Sequence, residues 1–197
     1  MTNALNIEHL KKEFGANKKI PAEYEKEILT ALSYYPELKD VKIKFRIAHH
    51  AKMPYCTKPS LLSYFRSKKN RTYVITLLDK APEPEKEALF SNLTEDMRIS
   101  VIGHELAHVY QFNECNRKEL IKKVASFMVH RARRRIERGA DLLAIKHGLG
   151  EGLLKHARFI RSIPGYVKKR PNINEEYLKP AEISYFIKHP DKISHVW

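Results

Sequence analysis

The sequence predicts an α+β fold, mainly helical, with a small mixed or antiparallel sheet packed against one central helix. Three observations predict it. Helical apolar spacing recurs through most of the chain after residue 92. Two short segments before that point alternate, or run apolar, in the manner of strands. The motif His104-Glu105-Leu106-Ala107-His108 falls inside one of the helical stretches. The 197 residues fit a single domain, 1–197, read as a helix-and-sheet lobe over 1–92 and a helical lobe over 93–197 that carries the motif.

The elements follow from local chemistry. Pro21 opens an amphipathic helix over Ile20–Tyr35, where its missing N–H costs nothing, and Pro36 ends it. Val41, Ile43, Phe45 and Ile47 alternate with Lys42, Lys44 and Arg46, which describes a strand with one wet face. Thr72–Leu78 is a second strand, and Leu61–Arg66 is expected to pair with it as a hairpin across Ser67–Arg71. Ala81–Ser91, with Pro82 and Pro84, reads as a loop or short helix. Thr94 offers an N-cap hydroxyl, with Glu95 and Asp96 in the positive first turn of a helix running to about Phe112. One long helix is expected from Lys118 to His147, capped at Gly148. Leu153–Ile160 and Glu175–Ile187 form shorter helices, Pro180 bends or splits the latter, and Pro164, Pro171 and Pro190 mark breaks.

Composition excludes several classes. With 43% hydrophobic and 30% charged residues the chain is globular rather than disordered. Cys56 and Cys115 cannot build a disulfide framework or a four-thiolate metal site. The segment Met1–Phe14 lacks the apolar stretch of a secretory signal, and no apolar run approaches the roughly 20 residues that span a bilayer. The expectation is a soluble, cytoplasmic, reduced protein with no transmembrane segment. Its net charge of +14 draws it toward acidic partners. Arg131, Arg133, Arg134, Arg135 and Arg138 crowd one stretch, and Tyr64, Phe65, Tyr73 and Tyr166 lie near basic residues where they could stack on bases. No helix-turn-helix, zinc-finger or RNA-binding signature accompanies them, so nucleic acid is a partner suggested by charge alone.

The chemistry rests on the motif. Residues four apart on a helix share a face, about 40° offset, so His104 and His108 can bind one metal ion while Glu105 reaches a water beside it. Two histidines and a carboxylate usually select zinc. Such spacing arises by chance in roughly one comparable sequence in twenty, so a third ligand is required. Glu137 is the best candidate, far enough on for one helix to end, turn and return alongside. Asp141, one turn later, could accept from the free ring nitrogen of a ligating histidine. The alternative is a surface glutamate that pairs with Arg133 or Arg134 one turn earlier, but Glu137 and Asp141 sit at the border of an apolar stripe of Ala125, Val129, Ala132, Ile136, Ala140 and Leu143, facing neither full solvent nor deep core, and with the motif upstream the ligand reading is favoured. Glu114 and His130 are rival ligands, though Gln111 stands where a metzincin would need glycine after the second histidine.

Ile99–Tyr110, followed by Glu137-Arg138-Gly139-Ala140-Asp141, resembles the gluzincin metallopeptidases, in particular the group of CAAX-prenyl and heat-shock endopeptidases, whose second motif is also Glu-x-x-x-Asp. The resemblance covers about a fifth of the chain. It implies a zincin-like fold and one zinc ion held by His104, His108 and Glu137, with Glu105 as general base and Asp141 behind a histidine. It also implies a peptide or protein substrate lying along an edge strand, here Tyr73, Val74 and Ile75 of Thr72–Leu78. The family's membrane helices and its Asn-Ala-Phe segment have no counterpart, and neither has its downstream oxyanion-stabilising residue. The DNA-associated SprT-like proteases are similar in style but use a third histidine. The expected function is a soluble zinc endopeptidase. The alternative is a non-catalytic module with a structural zinc, acting on nucleic acid or a protein partner through its basic surface. A latent enzyme, its cleft covered by Tyr166–Trp197 or Met1–Lys19, is a further expectation.

Overall fold

The computed structural model describes residues 7–49, 54–78 and 86–193. The described residues open with α1 (Ile7–Phe14), the two-residue β1 (Lys18–Lys19) and α2 (Glu25–Ser33), the last entered through a 3₁₀ turn at Ala22–Tyr24. The expected helix over Ile20–Tyr35 is thus present with a tightened first turn. Pro36 starts the next 3₁₀ turn. β2 (Lys42–Ala48) buries Ile43 and Phe45 and leaves Lys44 and Arg46 exposed, the alternation read from the sequence.

Among the described residues, β3 (Tyr55–Pro59) and β4 (Thr72–Leu78) join β1 and β2 in a four-stranded mixed sheet of order β1-β2-β4-β3. β4 pairs parallel with β2 from Lys42↔Thr72 to Ala48↔Leu78 and antiparallel with β3 from Tyr55↔Leu77 to Pro59↔Tyr73. Two expectations are corrected here. Leu61–Arg66 is not a strand: Leu61–Tyr64 is a 3₁₀ turn. The Ser63 hydroxyl accepts from Thr72 N–H at 2.8 Å and donates to Thr72 C=O at 2.9 Å, which replaces the hairpin ladder. Tyr73, Val74 and Ile75 do not form an edge strand either. β4 is paired on both sides, and the edge beside the motif helix is β3.

α3 (Glu95–Asn113) carries the motif and is the axis of the fold, packed against α2, β3, α5 and α6. Thr94 occupies its N-cap, with its hydroxyl on the Asp96 carboxylate. Every residue from Ser100 to Val109 is buried. The expected long helix is two helices, α4 (Arg117–Ser126) and α5 (His130–Ala144). Successive i→i−3 bonds at Phe127, Met128 and Val129 turn the chain. Phe127 points inward and packs its ring 5.8 Å from His108 and 6.0 Å from Phe112. Ala125 and Val129 are exposed, so the apolar stripe does not continue across the break.

A π-helical turn at Ile145–Leu149 leads into α6 (Gly150–Ser162). Gly148 sits there at φ 85°, a left-handed position that favours glycine. α7 (Tyr166–Lys169), α8 (Ile173–Glu176) and α9 (Pro180–Lys188) follow, with Pro180 at the first turn of α9 splitting the expected Glu175–Ile187 helix, and the described residues close with a 3₁₀ turn at Pro190–Ile193. A contiguous apolar core runs from Leu10 to Ile193 and includes residues of both halves of the chain. Of the Ala81–Ser91 segment, 81–85 lies outside the described residues, and Phe90–Asn92 is a 3₁₀ turn.

α6 approaches α3 closely. A Cβ on Gly152 would overlap the Asp96 carbonyl and the Ser100 hydroxyl. Gly152→Ala should therefore force the two helices apart and lower unfolding free energy by about 1–3 kcal/mol, read from urea denaturation. An unchanged midpoint would show that this contact does not position the motif helix.

Candidate metal centre

α3 and α5 bring three groups together. Ligand atoms of His104, His108 and Glu137 all lie within 4.8 Å of one another, and the three residues are buried. Glu137 Oε2 sits 3.3 Å from His104 Nε2 and 3.2 Å from His108 Nε2. The two separations from Glu137 are close to the roughly 3.3 Å between ligand atoms that each lie about 2.0–2.1 Å from a tetrahedral ion.

The far side of each imidazole sets its tautomer. His104 Nδ1 lies 2.9 Å from Asp141 Oδ1, while Asp141 Oδ2 accepts from Leu178 N–H at 2.8 Å. His108 Nδ1 lies 3.2 Å from Gln111 Oε1, and the Gln111 amide nitrogen donates to Ile136 C=O, which fixes the amide orientation. Both histidines therefore donate from Nδ1. Their Nε2 lone pairs converge on a carboxylate oxygen, which is unfavourable unless a proton or a cation lies between them. Burial alone would lower the His104 pKa, but its bonds to Asp141 and Glu137 outweigh that and hold it well above the usual value. Burial pushes Glu137 the other way, yet His108 and His104 together keep its carboxyl below the ordinary range. This donor set can hold a metal ion.

Glu105 points from the same helix into the adjoining space. Its Oε2 accepts from the Thr57 hydroxyl at 2.7 Å, and Thr57 belongs to the edge strand β3. Burial raises the Glu105 pKa, and the two histidines partly offset this. A cavity of about 300 Å³ opens beside His104 and Glu105. Apolar side chains including Leu153, Ile160 and Ile173 line it, together with Arg133, His156 and Arg161. Burial, with His104 and Arg161 nearby, pushes the His156 pKa down to about 3, so its ring is neutral. Its Nε2 is buried with no hydrogen-bond partner among the described residues. The Tyr177 ring lies 5.8 Å from that of His104, and burial followed by Glu137 and Glu105 raises its hydroxyl pKa well above the usual value.

The structure thus unites His104, His108, Glu137, Glu105 and Asp141 and separates the others. Glu114 pairs with Lys68 at the C-terminal end of α3. His130 is exposed and lies 3.8 Å from Glu175. Tyr73, Val74 and Ile75 sit one strand away from the open edge. The Arg133 alternative for Glu137 is also present, but through the other carboxylate oxygen and at 3.9 Å. The sequence reading missed Thr57, Gln111, His156 and Tyr177. Gln111, three residues after His108 on one helix, was open to discovery by spacing, whereas Thr57 is 48 residues from Glu105. Tyr166, Arg170 and Tyr177, from the segment expected to cover the cleft, form one wall of the cavity.

Comparison with protein-family models, curated proteins and solved structures finds no match. Among the described residues no helix is long and apolar enough to cross a membrane.

Glu137→Ala should prevent stoichiometric metal retention after dialysis, and Asp141→Asn should weaken affinity about 10- to 100-fold. Full retention by Glu137→Ala would remove it from the ligand set. Because the metal-free His104 holds a proton above its usual range, an incoming ion must displace that proton. Affinity should therefore fall as pH is lowered, and uptake at neutral pH should release protons, measurable in weakly buffered solution.

Proposed function

We propose that the protein is a zinc-dependent endopeptidase of the gluzincin type. The observation that carries this reading is the position of Glu105, a buried carboxylate beside three converging ligands and facing a cavity. A structural zinc site closes with four protein ligands, whereas three ligands leave one position for chemistry. Two imidazoles and one carboxylate are a donor set that suits zinc.

The ion would supply Lewis acidity, polarising the scissile carbonyl and making water more acidic. The chain's own residues do the rest. Glu105, its pKa raised by burial, accepts the proton of the attacking water and delivers it to the leaving amine. The Thr57 hydroxyl fixes the rotamer of Glu105. Asp141 and Gln111 keep both imidazole Nε2 atoms directed at the ligand position.

Substrate would lie along β3 rather than β4. Ser60 N–H bonds to Thr72 C=O and Leu78 N–H to Pro54 C=O, so even-numbered residues of β3 face β4. The N–H and C=O groups of Tyr55 and Thr57 point the other way and suit an added extended strand. A non-catalytic metal module is the second reading, favoured by the segment 166–178 that walls the cavity.

Glu105→Gln separates them. It should retain one zinc per chain and reduce peptide hydrolysis at least about 100-fold. Thr57→Val should retain zinc and cost about tenfold in kcat, because the base loses its anchor. Equal hydrolysis by wild type and Glu105→Gln would contradict the proposed mechanism.

A further inference from the structure

α4 has two apolar faces. Leu120, Val124 and Phe127 turn inward, with Leu120 fully buried. Ile121, Ala125 and Met128, at spacings of four and three, form a second stripe that faces outward, and Met128 is 89% exposed. The 3₁₀ turn at Leu61–Tyr64 packs beside α4 and adds Leu61 and Phe65, 84% and 76% exposed. Arg117 ties the two segments by donating to Phe65 C=O at 2.8 Å. These side chains contribute little to the core, and exposed groups of this size rarely cluster without a partner.

Charge identifies the partner. Segments 60–70 and 114–123 carry seven Lys or Arg and two Glu. One of those acids, Glu119, is engaged in the capping box of α4, and the other, Glu114, pairs with Lys68. Arg66, Lys69, Lys118 and Lys122 are exposed around the apolar stripe. A second copy of the chain would place these cations against their own equivalents, which opposes association. A nucleic acid would use the cations but would gain little from Leu61, Ile121 and Met128, since aliphatic side chains offer no stacking face. Apolar side chains projecting from a ring of Lys and Arg match the boundary between acyl chains and anionic headgroups.

We propose that the α4 face, with Ile121 and Met128 and the neighbouring Leu61 and Phe65, docks the protein onto an anionic lipid surface. With no membrane-crossing helix among the described residues, the contact is peripheral. The patch adjoins the metal centre on two sides. β3 runs from Thr57 directly toward Leu61, and Phe127 at the end of α4 packs on His108. Docking would hold the open edge of β3 close to the surface. This inference does not depend on the peptidase reading, because lipid binding is read without metal or substrate.

The test is co-sedimentation of the full chain with vesicles of phosphatidylcholine alone and of phosphatidylcholine mixed with phosphatidylserine. Binding is expected to the mixed vesicles only and to weaken as salt is raised. Phe65→Asp combined with Met128→Asp should reduce that binding about tenfold or more while leaving thermal unfolding unchanged. Lys118→Glu with Lys122→Glu should reduce it without removing any apolar contact. Equal binding by the Asp variant and wild type would overturn the proposal. So would failure to bind the mixed vesicles, whether the protein then shifted duplex DNA, which assigns the surface to nucleic acid, or dimerised through Phe65, which assigns it to a second copy.

Discussion

The structure depends on how it compensates three ionisable groups buried on one helix. Ser100 to Val109 are inaccessible, and the stretch includes His104, Glu105 and His108. An uncompensated carboxylate or imidazolium at such depth costs several kcal/mol. Each of the three has a partner: His104 from α5, Glu105 from β3, and His108 from its own helix and α5. Glu137 is the common partner of both imidazoles, and its burial is tolerable because positive charge, carried by a proton or a metal ion, lies between them.

That constraint explains features that look unrelated. α5 must present Glu137 and Asp141 one turn apart on the face toward α3, so the chain breaks at Phe127–Val129 rather than continuing straight from α4. The break costs helical hydrogen bonds, and the Phe127 ring against His108 and Phe112 offsets part of that loss. On the opposite side, Gly152 lets α6 close on α3, and Tyr35 donates to Gly103 C=O at 2.7 Å, fixing the helix from the α2 side. α3 is held on several sides before any ligand arrives, and the ligand atoms are accordingly preorganised.

Much of this was legible in the residues, for identifiable reasons. The motif helix, the strand Thr72–Leu78 and the alternation in β2 announce themselves because their periodicity is local. Glu137 and Asp141 were legible as candidates from spacing, and the structure brings both to the histidines. The rest was hidden where tertiary contacts override local pattern. No proline or glycine marks the break between α4 and α5. Leu61, Leu62 and Phe65 look like strand residues, yet they face outward, and β3 is a short segment ending in proline whose place at the sheet edge follows only from its pairing with β4. Thr57 carried no signal at all, since its role depends on strand order. The +14 charge proved partly structural: Arg138 binds Glu182 at 2.5 Å and Arg133 reaches Glu176 at 3.2 Å, leaving Arg131, Arg134 and Arg135 exposed on α5.

The central claim is that His104, His108 and Glu137 form a single site for one ion. X-ray absorption at the zinc edge of the zinc-loaded protein addresses it most directly. The account predicts about four nitrogen or oxygen neighbours near 2.0–2.1 Å, with the outer-shell signature of two imidazoles and no sulfur. A zinc–sulfur distance near 2.3 Å, implicating Cys56 or Cys115, or the absence of imidazole scattering, would contradict it.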